Sequence, residues 1–219
     1  MILSMHHFRQ VLLAAGMTLL LFVIVYVPTF ILVGSLHLPL EQMVPGIMLL
    51  SFAIACVLIA LHARHWQRAW STFGFCLPPM RLLLYALAWS IPCAAIVALC
   101  LDQAGEPGPL AGLKLASWLA MLYFGLFAPI QEETIFRGLL QTTLARRLAD
   151  TSGCLASTEF CASLGVAVLF AAIHLAVGPL TALGALLLGV LTGEFRRRSG
   201  SLVPAIVCHA VFNLVGILL

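Results

Sequence analysis

Long apolar runs separated by short polar clusters fill most of the 219-residue chain, and the length of these runs decides which elements they form. Windows of about 19 residues predict spans near 11–34, 43–62, 82–101, 113–130, 161–177, 180–195 and 202–219. An apolar helix crosses a bilayer in roughly 20 residues, so each run is read as one crossing. The first run, Val11 to Val33, is too long for the apolar region of a signal peptide and lacks a small-residue cleavage site, which predicts a retained span. In the fourth, a helical pattern continues from Gln131 to Arg147, so the helix is expected to leave the bilayer with a polar end. Only Gly178-Pro179 separates runs five and six, which predicts a tight turn and an antiparallel hairpin. Gly189 and Gly193 form a GxxxG pair whose expected use is close helix packing.

Composition removes the soluble alternatives. With 63% hydrophobic residues, 9% charged residues and a mean hydropathy of +1.12, the chain cannot cover a soluble globule with polar surface. The fold class is therefore all-α: a polytopic membrane protein of about seven transmembrane helices, forming a single membrane domain over 1–219. The net charge of +3 is small and its basic residues lie in clusters between apolar runs, so they are topology signals and nucleic acid is not an expected partner. With the N-terminus in the cytoplasm, and Arg137 left uncounted because it lies in a motif, Arg9, Arg64, Arg68, Arg81, Arg146, Arg147, Arg196, Arg197 and Arg198 fall on the inner side and only Lys114 outside. Nine against one predicts a multi-pass protein of the plasma (inner) membrane with its N-terminus inside. The seven cysteines have no CxxC or zinc-ribbon spacing and read as small packing residues.

Ionisable residues at membrane depth are costly enough to need a partner or a purpose. Gln131-Glu132-Glu133-Thr134-Ile135-Phe136-Arg137 directly follows an apolar stretch. Glu133 and Arg137 are four apart and share a helix face, which suits an ion pair. Glu132 is turned about 100° from Glu133 and is left to face a cavity. Further on come Phe170-Ala171-Ala172-Ile173-His174 and His209-Ala210-Val211-Phe212-Asn213, the latter with His209 and Asn213 on one face. One carboxylate, two imidazoles and a carboxamide from three helices suit the activation of water. Glu132 would accept the proton, His174 would orient the water, and His209 with Asn213 would meet the oxyanion. Glu132, His174 and His209 would equally suit a divalent metal such as zinc.

The three motifs, Glu-Glu-x-x-x-Arg at 132–137, Phe-x-x-x-His at 170–174 and His-x-x-x-Asn at 209–213, resemble those of the CAAX-processing and bacteriocin-processing intramembrane proteases. This is the CPBP or Abi family, which includes the type II CAAX prenyl endopeptidases. Each motif alone is weak and the ordered set is specific; all lie in the stretch 113–219. The resemblance implies helices around a polar, cytosol-facing intramembrane cavity and a glutamic intramembrane protease. Its substrate would be a protein or lipidated peptide cut near its membrane-anchored C-terminus, and membrane lipids would be its other partners. It also implies Glu132 and His174 at the water, His209 and Asn213 as the oxyanion pocket, and Glu133, Arg137 and Phe170 in support. No cofactor is expected, the metal-free reading being preferred to a zinc-dependent variant. Two further functions fit the same residues: a non-enzymatic Abi-like immunity protein, and a transporter relaying protons through Glu132, His174 and His209. Transport is disfavoured because no inverted repeat is visible. The bland readings are helix glue for the histidines and Asn213, a headgroup-facing position for His62 and His65, a topology anchor for Arg196 to Arg198, and an ion pair with that run for Glu194.

Overall fold

The structure is a computed structural model that describes residues 5–65, 70–105, 117–152 and 155–218. Arg68, Lys114, Cys154 and the first residues of the predicted fourth span lie outside the described residues. Three long helices come first: α1 (Met5–Ser35), α2 (Leu40–His65) and α3 (Met80–Ala104), with a 3-10 turn at Trp70–Phe73 before the third. Then follow a composite helix, α4, over 117–152, and α5 (Leu155–His174), α6 (Pro179–Ser199) and α7 (Val203–Leu218). Among the described residues there is no strand. The protein is an all-α polytopic membrane protein, as its hydropathy requires.

Among the described residues three segments are long and apolar enough to cross a membrane, Arg9–Ser35, Gln42–His65 and Met80–Ala104, and two shorter apolar helices are Thr158–His174 and Val203–Leu218. Only 22% of each of the three long apolar windows is buried inside the protein. On α1, Leu12, Leu13, Leu19, Leu20 and Ile31 point outward and are more than half exposed. Contiguous apolar surface of this extent needs lipid to cover it. Side-chain hydroxyls inside these helices fold back on the preceding turn, Thr18 onto the Ala14 carbonyl and Thr29 onto that of Val25, so their protons are satisfied without water.

The composite helix carries the polar motif, and it runs on past Ile130 as the helical pattern from Gln131 to Arg147 predicts. Its axis is continuous but widened twice, by π-helical stretches at Tyr123–Phe127 and Thr134–Gln141. Every residue from Glu133 to Thr143 is buried within the bundle, and Arg137 is the largest fully buried side chain among the described residues. The reason is the return of α5 along the same helix. Glu133 lies as many residues before Ser152, where α4 ends, as His174 lies after Leu155, where α5 begins. Antiparallel packing of the two helices brings His174 to the level of the Glu132-Glu133 pair, about 28 Å from those ends at 1.5 Å per residue. His174 therefore sits at the depth of the carboxylates, although the span order alone put it near the opposite face.

The α5–α6 hairpin turns where Gly178-Pro179 predicts. The N–H groups of Val177 and Gly178 both donate to the His174 carbonyl, at 3.0 and 3.3 Å, and Pro179 opens α6. The GxxxG pair brings backbones together as expected. A Cβ on Gly189 would stand 3.1 Å from Ala167 Cα, and one on Gly193 would overlap Ser163 Oγ. Gly189 does more than pack, because its carbonyl, left accessible by the missing side chain, accepts from Arg137 Nη2 at 3.0 Å.

Candidate active site

Glu133 and Arg137 form the expected ion pair, Oε2 to Nε 3.3 Å, with both side chains essentially inaccessible. A buried guanidinium needs partners for its donors, and Nε and Nη2 find them while Nη1 does not. Nε and Nη2 of Arg137 also donate to Thr192 Oγ1 at 3.0 and 2.8 Å, and its cationic carbon lies 5.7 Å from the centre of the Phe170 ring. Thr192 has no motif around it and was not legible in the sequence. Phe170, the expected supporting residue, is buried edge-to-face between Phe136 at 4.9 Å and His209 at 5.9 Å.

The other oxygen of Glu133 holds His209, Oε1 to Nδ1 2.8 Å. A carboxylate ionised against Arg137 can only accept, so Nδ1 carries the proton and donates. This turns Nε2 of His209 toward Glu132, whose Oε2 is 3.8 Å away. That distance exceeds a direct hydrogen bond and leaves room for both groups to engage a third partner. The side chain of Glu132 is 19% exposed against 1% for Glu133, so the two adjacent carboxylates are divided as the helix rotation predicts: one internal, one facing open space.

His174 lies within electrostatic reach of Glu132, as does His209. Its Nδ1 is 2.8 Å from the Phe170 carbonyl one turn back, and since a carbonyl only accepts, Nδ1 donates. A ring that donates through Nδ1 has, in its neutral form, its lone pair on Nε2. Asn213 is positioned by the first widened stretch of α4, where Phe124 offers its carbonyl to Nδ2 at 2.8 Å. Gly125 permits the approach, because a Cβ there would press on the side chain of Leu214. His209 and Asn213 thus project from one face of α7 but are anchored on different partners, Glu133 and Phe124.

Two residues of the first half reach the site, where no chemical motif was visible. Gln131 donates to Ser51 Oγ of α2 at 3.0 Å and more loosely to the phenol oxygen of Tyr26 of α1 at 3.4 Å, and Tyr26 is within electrostatic reach of Glu132. The one available signal was a tyrosine and a serine in otherwise apolar runs. Elsewhere, Glu194 pairs with Arg197 and Arg198 as expected. Arg196 is not merely a topology anchor, since its Nη2 donates to the Thr72 carbonyl at 2.9 Å and ties α6 to the turn before α3.

Among the described residues no three His, Cys, Asp or Glu side chains converge as a metal ion requires. Of the three residues that would hold zinc, His209 has its Nδ1 committed to Glu133.

A bundle of apolar helices that buries paired carboxylates, imidazoles and a carboxamide together has the make-up of a membrane-embedded enzyme. Residues 114–215, just under half of the chain, match the family model of the type II CAAX prenyl endopeptidase Rce1-like proteins. This stretch, which holds all three motifs, is similar to that family of CAAX-type intramembrane proteases. No curated protein and no solved structure matches the chain.

Proposed function

We propose that the protein is an intramembrane endopeptidase in which Glu132 activates water to cut a peptide bond near the membrane-anchored C-terminus of a protein or lipidated peptide. The observation that carries this reading is the division of labour between the two carboxylates. Glu133 is spent on Arg137 and His209, while Glu132 is partly open and faces His209 Nε2. In the proposed step Glu132 takes a proton from water as its oxygen adds to the scissile carbonyl carbon, with Nε2 of His174 accepting the water's second hydrogen bond. The carbonyl oxygen becomes an oxyanion, met by the remaining N–H of the Asn213 carboxamide and by Nε2–H of His209 in its imidazolium form. Collapse of the tetrahedral adduct breaks the C–N bond, and the proton held by Glu132 passes to the leaving amine. Arg137, Glu133 and Phe170 hold the ring of His209 in place without touching substrate.

The whole chain is proposed to act as one membrane domain, supported by the bonds from Gln131 to Tyr26 and Ser51. It is proposed to lie in the plasma membrane with its N-terminus in the cytoplasm, supported by the basic clusters. The test is cleavage of a membrane-anchored CAAX-type peptide by the purified protein in liposomes. Glu132→Gln should lower kcat by about 100-fold or more, and a chelator should leave the wild-type rate unchanged. Equal rates for wild type and Glu132→Gln would remove the glutamate mechanism.

A further inference from the structure

At the end of the bundle away from Glu132, a cavity of about 100 Å³ opens between α4, α5, α6 and the turn before α3. Arg146, Arg196 and Arg197 line it together with Glu159, Gln141 and Thr142. Glu159 and His174 are 15 residues apart on α5, about 22 Å along a helix, so this cavity is separate from the candidate active site.

Its charge balance is unusual for a helix junction. Arg146 and Arg196 act on each other as like charges, with Glu159 the acidic group in reach of Arg196. Arg197 is held by Glu194 at 2.7 Å, and Arg196 Nη2 is held by Thr72. Two buried polar atoms at the cavity have no partner, Nε of Arg196 and Oε1 of Gln141, and Gln141 is only 5% exposed. An anion with several acceptor oxygens would offset the repulsion and accept from Nε of Arg196, while a protonated oxygen or a water beside it would donate to Oε1 of Gln141.

The position of the cavity says where such an anion comes from. The apolar run of α5 ends at Glu159 and that of α6 ends at Glu194, so the cavity lies at the level where the bilayer gives way to water. The turn that supplies Thr72 is stitched to the end of α6, with the Leu202 N–H donating to the Gly74 carbonyl at 2.9 Å. On its outer side that turn presents Trp70, Phe75 and Leu77 to the surroundings, Trp70 half exposed and Leu77 almost fully so. Exposed aromatic and aliphatic side chains at this level belong among lipid headgroups and upper acyl chains. Basic pockets between helices at a membrane surface suit phosphate headgroups. We infer that this cavity binds the phosphate of a membrane phospholipid, with Arg146 and Arg196 facing its oxygens and the acyl chains lying along Trp70 and Leu77.

The test is native mass spectrometry of the full-length protein in detergent, titrated with phosphatidylglycerol and, separately, with inorganic phosphate. Arg146→Gln should weaken retention of one phosphatidylglycerol by about tenfold, and Glu159→Gln should strengthen it by removing the opposing carboxylate. Ala145→Leu, which fills the cavity without changing a charge, should also weaken it. Inorganic phosphate at the same concentration should not displace the lipid. Unchanged retention in both Arg146→Gln and Ala145→Leu would overturn the site, and displacement by equimolar phosphate would overturn the lipid as its ligand.

Discussion

At the scale of single residues, the arrangement turns on one buried ion pair that orients a histidine. Glu133 and Arg137 are both sealed from solvent, and each satisfies groups on other helices, His209 on α7 and Thr192 on α6. Removing one member leaves the other as an unpaired buried charge, which costs about 3–5 kcal/mol, whereas replacing both by apolar groups costs much less. Glu133→Leu should therefore lower the thermal midpoint in detergent strongly, and Glu133→Leu with Arg137→Met should recover much of that loss. The double variant should nevertheless stay inactive, because His209 Nδ1 has lost the acceptor that turns Nε2 toward Glu132. Full additivity of the two single losses in a thermal-unfolding cycle would contradict this coupling.

At the scale of helices, small residues set how closely α6 approaches α5. Gly193 faces Ser163 with no room for a methyl group, whereas Gly16 on α1 has nothing within 4 Å of where its Cβ would stand. Gly193→Ala should destabilise by about 1–3 kcal/mol through overpacking. Gly16→Ala should be neutral or stabilising by up to about 1 kcal/mol from helix propensity. Thermal unfolding of the two variants in the same detergent checks the contrast. The glycine pair shows what was legible along the chain: run lengths located every helix, and GxxxG, Gly178-Pro179 and the Glu133–Arg137 spacing each announced a contact that the structure makes. The level of His174 was not legible, because it depends on α5 folding back along α4, a fact about pairing rather than about either run. Thr192 and Tyr26 were hidden for a related reason. A lone hydroxyl in an apolar helix looks the same whether it faces lipid, its own backbone or a guanidinium.

At the scale of the whole molecule, the basic clusters and the helix lengths make a joint statement about sidedness. Arg196 is bonded to the turn before α3, and Arg146 lines the same cavity, so the ends of α4 and α6 and the start of α3 share one face of the bundle. From Arg81, at the start of α3, to Asp102 near its other end the helix rises 21 residues, about 31 Å, which matches a hydrocarbon core of roughly 30 Å. Asp102 and the arginine-rich end are therefore proposed to lie at opposite surfaces, with the arginine end on the cytoplasmic side that the positive-inside bias favours. In a cysteine-free background, Asp102→Cys should react with a membrane-impermeant maleimide applied to intact cells. Arg198→Cys, at a side chain that is 63% exposed, should react only after the membrane is permeabilised. Labelling of Arg198→Cys in intact cells, with Asp102→Cys protected, would invert the topology. It would carry the arginine-lined cavity to the outer surface and leave the positive-inside count without a physical basis in this chain.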